Sequence, residues 1–95
     1  MQLQNQVALV TGGALRIGRA ICEALAAQGC GVVIHCHRSV AEARALAARL
    51  AAQGVRAWVA RRHLQHERDC ELLIAQAWRA AGRLDCLVNN AAVFL

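Results

Sequence analysis

The chain has 95 residues, is 58% apolar and carries a formal charge of +5. Its 11 basic residues are all arginine, and it contains no Lys, Tyr or Pro and a single Ser, Ser39. A Schiff-base lysine, a tyrosine general acid and a P-loop lysine are therefore excluded, and any serine nucleophile would have to be Ser39. The length suits one domain, with no room for a second substrate domain.

The arginines are scattered in runs no longer than two, with three aromatics to interleave, which fits solvated helix faces better than a nucleic-acid surface. Five cysteines with no C-x-x-C pair read as buried thiols of a reducing compartment rather than a disulfide framework. No basic n-region with an apolar h-region opens the chain, and no apolar run approaches membrane-spanning length. These features predict a cytoplasmic protein with neither nucleic acid nor membrane as partner.

In chain order, VALVT from Val7 reads as a short buried strand ending at Gly12-Gly13. Ile17, Ala20, Ile21, Ala24 and Leu25 follow at helical spacing, and Gly29 stands at a C′-like position before a second buried strand, Val32 to Cys36. Ser39 and Glu42 have capping-box spacing ahead of a stripe of Ala43, Leu46, Ala47, Leu50 and Ala51, which Gly54 stops. Val55 to Ala60 reads as a third strand. A third helical stripe runs through Cys70, Leu73, Ile74, Ala77, Trp78 and Ala81 to Gly82, before a fourth strand at Leu84 to Val88. The order βαβαβαβ, without linkers, predicts an α/β fold: a Rossmann-like, doubly wound parallel sheet filling residues 1–95 as one nucleotide-binding domain.

The segment TGGALRIG, Thr11 to Gly18, lies between the first strand and the first helix, where a dinucleotide fingerprint belongs. Gly12 permits the tight turn, Gly18 permits close helix-to-sheet packing, and the N–H groups opening the helix favour a pyrophosphate. Arg16 occupies the place of the usual middle glycine. An NAD site would carry an acid at the end of the second strand; the sequence there is His35-Cys36-His37-Arg38-Ser39, with no carboxylate before Glu42. Arg38, Ser39 and His37 could instead meet a 2′-phosphate or adenine, and Arg16 could reach the same phosphate, so the predicted cofactor is NADP(H). Ser39 is equally compatible with capping the second helix. Buried or solvated rings are the default for His35, His37, His63 and His66, and no metal site is predicted.

Through TGGALRIG and through LVNNAA, Leu87 to Ala92, the whole chain resembles the short-chain dehydrogenase/reductases. Arg16, the run His35 to Ser39, and Phe94 after the NNA motif are most similar to the pteridine reductases, which reduce pterins with NADPH. The resemblance implies that Arg16, Ile17, His37, Arg38 and Ser39 contact the cofactor, that Asn90 and Ala91 lie along its adenosine ribose side, and that Phe94 stacks a pterin substrate. Two positions depart from the family. His63-Leu64 stands where members usually carry Asp and an apolar residue, with the carboxylate on the adenine amino group, and Ala92 stands where pteridine reductases often have Ser.

The family's catalytic Tyr-x-x-x-Lys lies beyond the NNA motif, and no catalytic residue is assigned within this chain. The first expectation is therefore the cofactor-binding N-terminal part of an NADPH-dependent, pteridine reductase-like oxidoreductase, inactive as this chain alone. The alternative is a non-catalytic nucleotide-binding or assembly module. An arginine-rich RNA binder has only charge to support it. In the first reading the fourth strand is left as an exposed apolar edge, and the isolated chain is expected to be marginally stable or to self-associate.

Overall fold

A computed structural model describes residues 3–90. Seven elements follow one another: β1 (Val7–Val10), α1 (Arg16–Ala27), β2 (Gly31–Cys36), α2 (Val40–Ala52), β3 (Ala57–Arg61), α3 (Glu67–Ala81) and β4 (Cys86–Val88). The strands form one parallel sheet in the order β3-β2-β1-β4. The chain first winds outward from β1 to β3 and then returns to the other side of β1. That reversal places α1 and α2 on one face of the sheet and α3 on the other.

Both faces of β1 and β2 are covered, which explains why these strands read as continuous apolar runs. Val10, Val32 and Ile34 pack with Cys22, Ala26, Leu46 and Leu50 under α1 and α2. Val7, Leu9 and Val33 pack with Leu73 and Ala77 under α3. Asp85 ties the start of β1 to the start of β4: its carboxylate accepts the Val7 N–H at 2.8 Å and both arms of the Arg83 guanidinium at 2.8 Å.

Several sequence expectations are corrected. The buried row of α1 is Gly18, Cys22 and Ala26, flanked by Ile21 and Leu25, whereas Ile17 is 71% exposed. Close approach to the sheet selects the smallest side chains, so this helix turns its least hydrophobic-looking row inward. The third strand begins at Ala57 rather than Val55, and the fourth at Cys86 rather than Leu84. Along α3 only Leu73 and Ala77 are fully buried; Cys70 is exposed and Trp78 is 56% exposed.

The Ser39 side chain makes no capping hydrogen bond at α2. The carboxylate cap lies instead at α3, where Asp69 accepts the Gln65 and His66 N–H groups at 3.0 and 2.9 Å. Those two bonds are the chief reason the Asp69 carboxyl is held below its ordinary range. Cys70 and Cys86 are exposed, so only Cys22, Cys30 and Cys36 match the expectation of buried thiols.

Candidate dinucleotide site

At the carboxyl ends of β1 and β2 a cleft of about 300 Å³ opens between the β1–α1 turn (Gly12, Ala14, Leu15) and the run His35 to Ser39. The fold's reversal of strand order occurs at β1, so the cleft lies where parallel sheets of this kind bind ligands. Gly12 has φ 62°, a left-handed conformation that favours glycine. A Cβ on Gly18 would stand 2.0 Å from the Gly12 carbonyl oxygen and 2.6 Å from Asn90 Nδ2. The first turn of α1 can therefore lie directly against the glycine turn only because residue 18 has no side chain.

The NNA motif meets the same turn. Asn90 donates its backbone N–H to Thr11 Oγ1 at 2.8 Å and its side-chain amide to the Gly12 carbonyl at 3.3 Å. The Thr11 hydroxyl in turn lies 3.3 Å from the Val88 carbonyl and 3.2 Å from Asn89 Oδ1, and its single proton serves one of the two. The motif after β4 thus locks the fingerprint after β1, which is why two segments some seventy residues apart belong to one site.

His35 was the polar residue of a wholly buried strand, and such a residue needs partners. Its Nδ1 accepts the Gly12 N–H at 3.0 Å, its carbonyl accepts the Gly13 N–H at 3.0 Å, and its Nε2 lies 2.8 Å from the Arg62 carbonyl. The ring is thereby fixed as the neutral Nε2–H tautomer. Burial pushes its pKa below the ordinary value, with the Arg62 carbonyl acting in the opposite direction.

Of the remaining predicted positions, His37, Arg38 and Ser39 line the cleft together. Arg16 and Ile17 are exposed at the start of α1, and Arg16 takes a left-handed φ of 52°. No acidic side chain occurs in the first turn of α1. Among the described residues neither Arg16 nor Arg38 is in an ion pair; the pairs present are Arg19 and Arg49 with Glu23, and Arg83 with Asp85. The predicted positions Ala91 and Phe94 lie outside the described residues, as does Ala92. Sequence reasoning missed the roles of His35 and Thr11, and it missed the contact of His37 with His63.

Among the described residues there is no group of three metal-ligating side chains, and no helix is long and apolar enough to cross a membrane. A parallel sheet in 3-2-1-4 order with a glycine turn at the carboxyl end of its first strand defines a Rossmann-type nucleotide-binding fold.

The chain belongs to the short chain dehydrogenase family, whose model matches residues 6–94. It is 39% identical to pteridine reductase 1 of Leishmania tarentolae over 106 residues, covering 93% of this chain and 37% of that protein. It is 32% identical to the short-chain dehydrogenase/reductase homolog YusS of Bacillus subtilis, covering 98% of this chain and 85% of that one. Among solved structures it superposes on the FolM alternative dihydrofolate reductase 1 of Brucella canis, complexed with NADP, with a TM-score of 0.88 and 45% identity over 99% of this chain and 37% of that one. A short chain dehydrogenase of Burkholderia cenocepacia in complex with NADP gives a TM-score of 0.90 at 38% identity, over 100% of this chain and 39% of that one. The chain thus spans somewhat more than a third of most of these relatives, for example 37% of the Leishmania enzyme.

Proposed function

We propose that this chain is the NADP(H)-binding part of a short chain dehydrogenase-type oxidoreductase similar to the pteridine reductases. The observation that carries the reading is the cleft itself: a glycine turn on one side and His37, Arg38 and Ser39 on the other, with no carboxylate lining it. In an NAD site an acid at the end of β2 would accept the ribose hydroxyls; a guanidinium and a hydroxyl in its place suit a 2′-phosphate. The NADP-bound relatives point the same way.

The residues present fit the cofactor. Gly12, Ile17 and Gly18 would frame the pyrophosphate at the start of α1, where helix N–H groups converge. Arg16, His37, Arg38 and Ser39 would hold the 2′-phosphate and adenosine, and Asn90 with Ala91 would border the ribose. When bound, NADPH would supply the hydride for reduction. Phe94 would provide an aromatic platform for a planar substrate such as a pterin. The sequence contains no Tyr or Lys, so the proton that completes such a reduction would not come from the family's usual pair within these residues, and the chain by itself is proposed to be inactive.

Titrating NADPH into the isotope-labelled chain tests the reading. Amide signals of residues 12–18 and 37–39 should shift together and saturably; saturation that leaves both segments unmoved would overturn it.

A second reading, a non-catalytic nucleotide-binding or assembly module, is favoured by the apolar surface on α3 and β4. Ile74, Trp78 and Leu87 are 38%, 56% and 48% exposed, beside a second cleft of about 150 Å³ that includes Leu64 and Leu73. Such a patch invites association. Self-association of this chain is accordingly proposed, with concentration-dependent sedimentation that Trp78→Lys abolishes as its expected signature.

A further inference from the structure

The buried imidazole of His35 joins three segments that otherwise share little covalent constraint. Its ring accepts the Gly12 N–H, its own carbonyl accepts the Gly13 N–H, and its other ring nitrogen donates to the Arg62 carbonyl beyond β3. Gly12 is also the residue on which Gly18 packs and to which Asn90 donates. A movement of Gly12 is therefore transmitted to the start of α1 and to the segment after β4.

We propose that His35 is a positioning residue of the cofactor site: its neutral ring clasps the glycine turn in the NADPH-binding geometry, and protonation of that ring opens the clasp and weakens binding. The inference rests on the cofactor reading above and adds to it a residue and a pH dependence. A proton on Nδ1 would set two donors against each other across the 3.0 Å now spanned by the Gly12 bond. His35 is 4% exposed, so water has little access to replace the lost acceptor. Because Gly13 is held by the backbone carbonyl and not by the ring, a turn of the imidazole releases Gly12 alone.

Burial opposes protonation and is the chief cause of the lowered His35 pKa, while the Arg62 carbonyl acts in the opposite direction. The β1–α1 turn before Arg16 carries no ionisable side chain. The titratable groups of the other neighbouring segments include Arg61, Arg62 and His63 at and after the end of β3, Cys36, His37 and Arg38 at and after the end of β2, and Glu67, Asp69, Cys70 and Glu71 at the start of α3, where Asp69 is engaged by the Gln65 and His66 N–H groups.

The experiment follows the nitrogen-15 labelled chain from pH 8 to pH 5. At pH 8 the ring nitrogens should show the Nε2–H tautomer, and on acidification the Gly12 amide should shift and lose exchange protection with the same midpoint as the ring. NADPH affinity, measured in parallel, should fall below that midpoint and approach about tenfold per pH unit, the limit for one linked proton. His35→Asn places an amide oxygen near Nδ1 without a titrating group, so its affinity should escape this fall, retaining only the change due to the ligand's own 2′-phosphate. A Gly12 amide indifferent to the His35 titration would overturn the proposal, whether or not the variant folds. Identical pH profiles for the native chain and His35→Asn would do the same. Absence of NADPH binding at pH 8 with the Gly12 coupling intact would instead overturn the cofactor reading, and with it the effect on affinity.

Discussion

The imidazoles of His37 and His63 lie face to face, with centroids 4.0 Å apart and planes 3° from parallel. The contact joins the segments that follow β2 and β3, and His37 also lines the cleft. His63 stands where the family resemblance calls for Asp, so this corner holds a stacked imidazole pair and not a carboxylate. Two imidazoles at this distance disfavour a second charge. His37 is accordingly held below its ordinary pKa, by desolvation first and then by His63, Arg61, Arg38 and His35.

Replacing His63 by Asp exchanges a like charge for an opposite one. The His37 titration, followed through its ring proton resonances, is expected to move to higher pH in His63→Asp. A midpoint that stays put or moves down contradicts the coupling.

Gly18→Ala is expected to destabilise the fold by roughly 1–3 kcal/mol or more, the usual cost of overpacking, because the new methyl meets backbone at Gly12. Gly54 supplies the control: nothing lies within 4 Å of a Cβ there, and its φ of 84° leaves only conformational strain, about 1–2 kcal/mol. Urea unfolding of both variants should rank Gly18→Ala as the more damaging. Equal effects would mean that α1 does not need its contact with the turn.

Arg16 works against its own backbone. Its φ of 52° is a conformation that costs a residue with a Cβ about 1–2 kcal/mol relative to the ordinary helix region. Arg16→Gly is expected to raise the urea midpoint while lowering NADPH affinity, since the guanidinium that would reach the 2′-phosphate is lost. A variant that is both less stable and equally tight in binding contradicts this account.

Thiol reactivity should divide the cysteines. Burial, with a smaller contribution from Glu23, pushes the Cys22 thiol up to about 12, and Cys30 and Cys36 are raised by burial as well. At pH 8 a disulfide reagent should therefore titrate Cys70 and Cys86 rapidly in the native chain, and all five thiols only after denaturation. Fast native labelling of Cys22 would contradict the packing of α1.

The element order was legible because each helix carries a clear period and a glycine follows each one, at Gly29, Gly54 and Gly82. The facing of α1 was not. Ile17 outranks Gly18 on any hydrophobicity scale, but distance to the sheet is decided by size, and that is a tertiary property. The glycine turn and the His37-Arg38-Ser39 wall of the cleft were visible as motifs. The hydrogen bonds that hold them were not, since Thr11 with Asn90, and Gly12 with His35, become neighbours only when β1, β2 and β4 pair. His63 is visible in the sequence as a departure from the family pattern, yet its stacking on His37 does not follow from the spacing of the two residues.

The measurement that bears most directly on the cofactor is the affinity of the chain for NADPH and for NADH, compared by calorimetry, each repeated with Arg38→Ala. NADPH should bind at least about tenfold more tightly than NADH, in keeping with a charge-assisted contact of roughly 1.5–3 kcal/mol, and Arg38→Ala should remove most of that preference while leaving NADH binding nearly unchanged. Equal affinities for the two dinucleotides, or a preference that survives the loss of Arg38, would contradict the assignment.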